Sequence, residues 1–173
     1  MSGIYTIPVS WLKEGQHDFD FEINKEFFEQ FEESEVKEGK LTAVVDVDKR
    51  TSHIDLVIKI QGVVSVSCDR CLRIFSLPID CTNRLLVKLG KVRDEDDPDI
   101  IIIPAEEPEL DLKQYLYEYI LLALPIKRIH PDDDDGNSTC DPGMLEKLLE
   151  HVAGDTNGKD PRWDELKKLM NNN

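Results

Sequence analysis

Three features of the sequence predict an α+β fold: an antiparallel β-meander, as an open sheet or partial barrel, packed by one main amphipathic helix and followed by a short helical tail. Apolar and polar residues alternate over 41–47, 54–60 and 79–89, with turn-forming residues between the runs. One segment, 112–123, carries apolar residues at helical spacing until Pro125 stops it. The length, 173 residues with a hydrophobic share of 40%, allows one domain with a modest core and a short appendage. Composition puts the boundary near 140, with the α+β domain over 1–140 and a helical, partly flexible tail over 141–173.

The first strand is expected over 17–23, where Phe19, Phe21 and Ile23 alternate with Asp18, Asp20 and Glu22. Asn24 then has the side chain of a helix N-cap, and Phe27, Phe28 and Phe31 share one face of a short helix over 26–31. The polar stretch 48–52 has the length of a hairpin connection, so 41–47 and 54–60 should pair antiparallel. Gly62 is expected at a turn or bulge before Val63, Val64 and Val66 lead into Cys68. The acidic segment 93–109, with three prolines, reads as an extended excursion holding at most one strand, 100–103. In the main helix, capped by Asp111, the stripe is Leu112, Tyr115, Leu116, Tyr119, Ile120 and Ala123, and it should face the sheet. A solvated loop leads from His130 to Cys140, followed by an amphipathic piece over 144–152. Pro161 after Asp160 then opens a tail helix whose sticky face, Trp163, Leu166, Leu169 and Met170, is a docking candidate.

Charge narrows the function classes. Twenty-one Lys and Arg against 36 Asp and Glu give a net charge of −15, so a basic coat that grips phosphate backbones is excluded. No stretch approaches the roughly 18 to 20 apolar residues that span a bilayer, and the N-terminus lacks the cationic start and apolar core of a secretory signal. A cytoplasmic protein without membrane contact is expected. Arg70, Arg73, Arg84, Lys88, Lys91 and Arg93 make the basic concentration of an acidic chain. They could touch RNA phosphates or a partner locally; the blander reading is a solvated sheet face paired with nearby carboxylates.

No glycine-rich phosphate loop, nucleophile elbow or paired-histidine metal motif occurs, so neither catalysis nor a small-molecule substrate is indicated. The sharpest local feature is Cys68-Asp69-Arg70-Cys71. A C-x-x-C turn aims two thiolates at one point, and a tetrahedral zinc site needs two more nitrogen or sulfur ligands. Downstream only His130 and Cys140 could supply them, at a separation wider than in zinc fingers. The alternative is a pair of ordinary free thiols at a strand end. A redox pair would want a helix N-terminus, and this motif follows a strand. Cys81 lies in an alternating strand and reads as a small buried hydrophobe.

Taken together, Cys68-Asp69-Arg70-Cys71-Leu72, the helix ending Leu121-Leu122-Ala123-Leu124-Pro125, His130, Cys140 and the ending Asp160-Pro161-Arg162-Trp163 resemble the YceD family of large ribosomal RNA subunit accumulation proteins. The resemblance spans most of the chain. It implies a non-enzymatic bacterial or organellar protein, linked genetically to ribosomal proteins and needed for accumulation of 23S rRNA. Many relatives carry a more cysteine-rich segment after the Leu-Pro helix, which with the C-x-x-C turn would complete a zinc site; here that segment offers His130 and Cys140. The charge adds a constraint of its own: approach to naked rRNA is opposed, whereas basic ribosomal proteins or large-subunit assembly factors are attracted to the acidic runs 94–99 and 132–135. Protein partners are therefore expected first and rRNA contact second. A zinc- or thiol-dependent enzyme on Cys68 and Cys71, or a small structural zinc domain that binds RNA directly, are the competing readings.

Overall fold

The computed structural model describes residues 4–90, 100–104 and 107–155, with 152–155 as backbone alone. The elements run β1 (Thr6–Ile7), β2 (Gly15–Ile23), α1 (Lys25–Phe28), β3 (Glu38–Lys49), β4 (His53–Ser67), β5 (Ile74–Leu89), β6 (Ile100–Ile103), β7 (Leu110–Asp111), α2 (Lys113–Ala123) and α3 (Pro142–Asp155). They fall into two compact units. One is the chain to Ser67 together with Ile74–Arg128; the other is Cys68–Arg73 with the chain from Ile129 onward.

The first unit is an open five-stranded sheet in the order β2-β3-β4-β5-β6, with β1 and β7 forming a separate antiparallel pair. The alternation in the sequence sets its faces. Ile54, Leu56, Ile58 and Ile60 of β4 are essentially inaccessible, as are Phe27 and Phe28 of α1 and Leu116 and Ile120 of α2, and all belong to one core. Burying each such side chain is worth about 2 kcal/mol, which is why the period of two fixes the register so firmly. Asn24 Oδ1 accepts from the Phe27 N–H at 3.3 Å, as its cap role requires. The main helix starts one residue later than expected: Leu112 occupies the cap position, and the Asp111 carboxylate still accepts from the Lys113 N–H at 2.8 Å. Leu124, extended before Pro125, ends it. Lys49 ties down the N-terminal segment, its Nζ donating to the carbonyls of Val9 and Leu12 at 2.7 Å each.

The expected sheet is observed, and two expectations are corrected, at Gly62 and at the start of α3. The meander is antiparallel from β2 to β5, but β6 runs parallel to β5, with Leu86 opposite Ile100 and Leu89 opposite Ile103. Four consecutive isoleucines, all half-buried, suit such a strand, since parallel strands are written as continuous apolar runs rather than as alternation. The sheet remains open rather than closing into a barrel. Gly62 is neither turn nor bulge: β4 is unbroken across it, Gly62 faces Leu41, and a Cβ there would stand 2.3 Å from the Lys40 carbonyl oxygen. The amphipathic piece after Cys140 begins earlier, at Pro142. Among the described residues no helix is long and apolar enough to cross a membrane.

Candidate metal centre

In the second unit, the turn after β4 is closed by two backbone hydrogen bonds, from Cys68 N–H to the Arg73 carbonyl and from Leu72 N–H to the Cys68 carbonyl, both 2.9 Å. Leu72 sits at φ 61°, the left-handed conformation that lets the chain reverse this tightly. The turn leaves Cys68 and Cys71 pointing the same way, 0% and 3% exposed.

The other half comes from a small hairpin. Asp132 and Ser138 form a bridge, Asp133 N–H donates to the Asn137 carbonyl at 2.8 Å, and Gly136 at φ 80° makes the turn. The Asp133 carboxylate accepts from the N–H groups of Asn137 at 2.7 Å and Asp135 at 3.1 Å, which holds its acid well below the usual carboxylate range. This hairpin explains how the wide spacing closes. It folds 131–139 back on itself and returns Cys140 beside His130.

The four ligand atoms lie within 4.8 Å of one another. Cys68 Sγ is 3.7 Å from Cys140 Sγ, and His130 Nδ1 is 3.5 Å from Cys71 Sγ and 3.7 Å from Cys140 Sγ. A disulfide would need about 2.0 Å. Zinc in a tetrahedron, with sulfur at about 2.3 Å and nitrogen at about 2.0 Å, sets S···S near about 3.8 Å and S···N near about 3.5 Å. The donor set therefore fits a Zn²⁺ ion. Burial pushes the Cys68 thiol up, but the N–H groups of Cys71, Arg70 and His130 and the His130 ring outweigh it and lower its pKa to about 6. Cys140 is shifted up, by burial and then by the neighbouring sulfurs of Cys68 and Cys71, against the Ser138 hydroxyl.

Asp141 was not singled out by the sequence reading, and it joins the two halves. Its Oδ1 accepts from the Met144 N–H at 2.9 Å, capping α3, while Oδ2 pairs with Arg73 of the cysteine turn. The signal was present: an acidic residue directly before Pro142 is the same start signature that was read at Asp160-Pro161.

The remaining site residues are dispersed. Arg70 and Arg73 lie in the turn of the second unit, Arg84 and Lys88 point to the outer face of the sheet on β5, and Lys91 and Arg93 lie outside the described residues. So do Trp163, Leu166 and Leu169 and the acidic run 94–99. Cys81 is half-buried on the inner face of β5, its Sγ 4.0 Å from the Tyr119 carbonyl oxygen and apart from the cluster. Elsewhere in the first unit, a concavity of about 380 Å³ opens at β2, β3 and β4, with Asp18, Asp46, Asp48 and Asp55 on its wall. Asp18 is directly opposite Asp46, and Asp48 opposite Asp55, like-charge pairs that weaken a sheet.

Neither the curated proteins nor the solved structures compared with the chain give a match. A family model does. That of the large ribosomal RNA subunit accumulation protein YceD matches residues 56–170, well over half of the chain and a span that takes in all four members of the cluster. The chain belongs to the YceD family.

Proposed function

We propose that this protein is a cytoplasmic, non-enzymatic factor that supports accumulation of 23S rRNA by holding basic proteins of the large subunit or its assembly, with a structural zinc centre bracing the fold. The observation that carries this reading is the family match over 56–170, because the family's name is a role in large-subunit rRNA accumulation.

Two physical arguments favour proteins over RNA as partners. A net charge of −15 opposes approach to a polyanion and speeds encounter with a polycation. The facing carboxylates Asp18 with Asp46, and Asp48 with Asp55, gather negative charge on one face of the sheet, where a cationic partner is attracted. Asp46 already has Lys59 at 2.8 Å and Asp48 has Arg50 at 2.9 Å, so the surface accommodates ammonium and guanidinium groups.

The non-enzymatic part rests on ligand count. Cys68, Cys71, His130 and Cys140 would fill all four positions of a tetrahedral zinc ion, leaving none for water or substrate. Bound there, zinc supplies folding energy. The chain's own contribution is to hold one thiolate ready through the backbone N–H groups around Cys68 and to fix the second half through the 131–139 hairpin.

The test is an affinity capture from cells at low and high salt, with and without ribonuclease, read for proteins and RNA together. Ribonuclease-resistant, salt-sensitive recovery of basic large-subunit proteins is the expected result. Tight, salt-resistant binding of the purified chain to bare 23S rRNA overturns it, as does an unchanged 23S rRNA and particle profile after deletion. Turnover of any substrate that is lost in Cys71→Ser while the fold survives would favour the enzyme reading instead.

A further inference from the structure

The five-stranded sheet ends at β2, and the outer edge of that strand is open. Strand order puts β2 last, beside β3, and among the described residues no other strand pairs with it. The register fixes which backbone groups face out. The turn between β3 and β4 is closed by Arg50 N–H donating to the His53 carbonyl at 2.9 Å, so the even-numbered residues of β3 bond to β4 and the odd-numbered ones bond to β2. Their partners are the odd-numbered residues of β2, and the N–H and C=O groups of Gln16, Asp18, Asp20 and Glu22 therefore point away from the sheet. Glu22 agrees: its carbonyl accepts from the Tyr5 hydroxyl at 3.2 Å, which closes the edge at that end and leaves 16–20 open.

The side chains along this edge divide by face. Gln16, Asp18, Asp20 and Glu22 are exposed on one side, with Asp48 and Asp46 of β3 directly opposite Gln16 and Asp18. Phe19, half-buried, and Phe21, buried, turn to the other side. Past Asp20 the edge runs into a concavity of about 380 Å³, lined by Ile4, Tyr5 and Phe21 together with Asp20, Glu22 and Glu26. A strand laid along β2 would satisfy the open N–H and C=O groups and set every second side chain about 5 Å from an acid, with the side chains between them on the phenylalanine side. We propose that the open edge of β2 takes up, by strand addition, an extended segment of a partner protein in which Lys or Arg at every second position alternates with apolar residues.

Charge selects this occupant over the others. An open strand edge is a pairing hazard that proteins guard with charged side chains, and here the guard carries one sign. Two β2 edges brought together would set carboxylates against carboxylates, on chains of −15 each. RNA has no ladder of N–H and C=O groups to offer the edge, and its phosphates are repelled by the same acids. Basic proteins as partners are carried over from the function proposed above; the edge of β2 and the extended, alternating segment are new.

The probe is a synthetic seven-residue peptide with lysine at every second position and valine or threonine between, added to the full chain. Amide exchange at Asp18 and Asp20 should slow severalfold on binding, while Phe19 and Phe21, already bonded to β3, change little. Methylating one alternate set of the peptide's backbone nitrogens should weaken binding tenfold or more, and methylating the other set much less, because one set faces β2. Asp18→Pro, which removes an outward N–H and leaves the ladder to β3 intact, should also weaken binding tenfold or more. The methylated peptides stand in if that variant fails to fold. Asp18→Asn with Asp20→Asn should weaken binding severalfold at low salt and little at high salt. Absence of binding, an equal effect of the two methylated sets, protection elsewhere in the chain, pairing of two chains through the edge, or the same protection produced by an RNA oligonucleotide alone would each overturn the proposal. Capture from cells tells the two readings apart: basic large-subunit proteins retained undiminished by Asp18→Pro overturn the edge alone, whereas none retained by the parent chain overturns both.

Discussion

Asp141 and Cys68 show how single residues set up the cluster before any ion arrives. Asp141 gives one carboxylate oxygen to α3 and the other to Arg73, whose side chain is 68% exposed, so the ion pair itself is worth well under about 1 kcal/mol. The cap is worth about 1 kcal/mol. Asp141→Asn, which keeps a capping oxygen, should therefore lower zinc affinity less than about tenfold in a chelator competition, while Asp141→Ala should cost more and also lower the helical signal. Cys68 is a question of sign. Its folded pKa, lowered to about 6 from an ordinary value of 9.0, means that its stabilising contribution is full above the ordinary thiol range and is lost as pH falls through about 6. Denaturant midpoints of the metal-free protein should rise over that window, and Cys68→Ser should flatten the rise. Cys140, shifted the other way, opposes it only on the alkaline side.

At the scale of elements, β4 approaches β3 so closely at Gly62 that a side chain has no room there. With φ at +148° and the Lys40 carbonyl where a Cβ would go, Gly62→Ala should destabilise by about 3 kcal/mol in chemical denaturation. That position also marks what sequence could and could not say. Strands β2 to β5 and the stripe of α2 were legible because burial on one face writes a period of two or 3.6 into the residues. Gly62 was visible only as a glycine, since a close backbone approach leaves no pattern in its neighbours. The direction of β6 was hidden for another reason: the apolar run 100–103 suits a buried parallel strand, but four residues do not by themselves fix a partner or a direction. At the centre, Cys68 and Cys71 announced themselves by spacing. His130 and Cys140 were the candidate partners at a separation wider than in zinc fingers, and what brings them together is a hairpin held by Asp133 and Asn137, which spacing alone does not show.

For the whole molecule, zinc should bind at one ion per chain, and stripping it with a chelator should lower the melting temperature. Hydrogen exchange locates the loss. Amides of 68–73 and 129–155 should lose protection first, with β2 to β5 retaining theirs; a uniform loss across both sets would contradict a centre confined to the second unit. The ligands' order along the chain has a consequence for biosynthesis. Cys68 and Cys71 leave the translating ribosome dozens of residues before His130 and Cys140 exist. Until residues 130–140 have emerged to close the clasp, those two thiols must stay reduced without their partners.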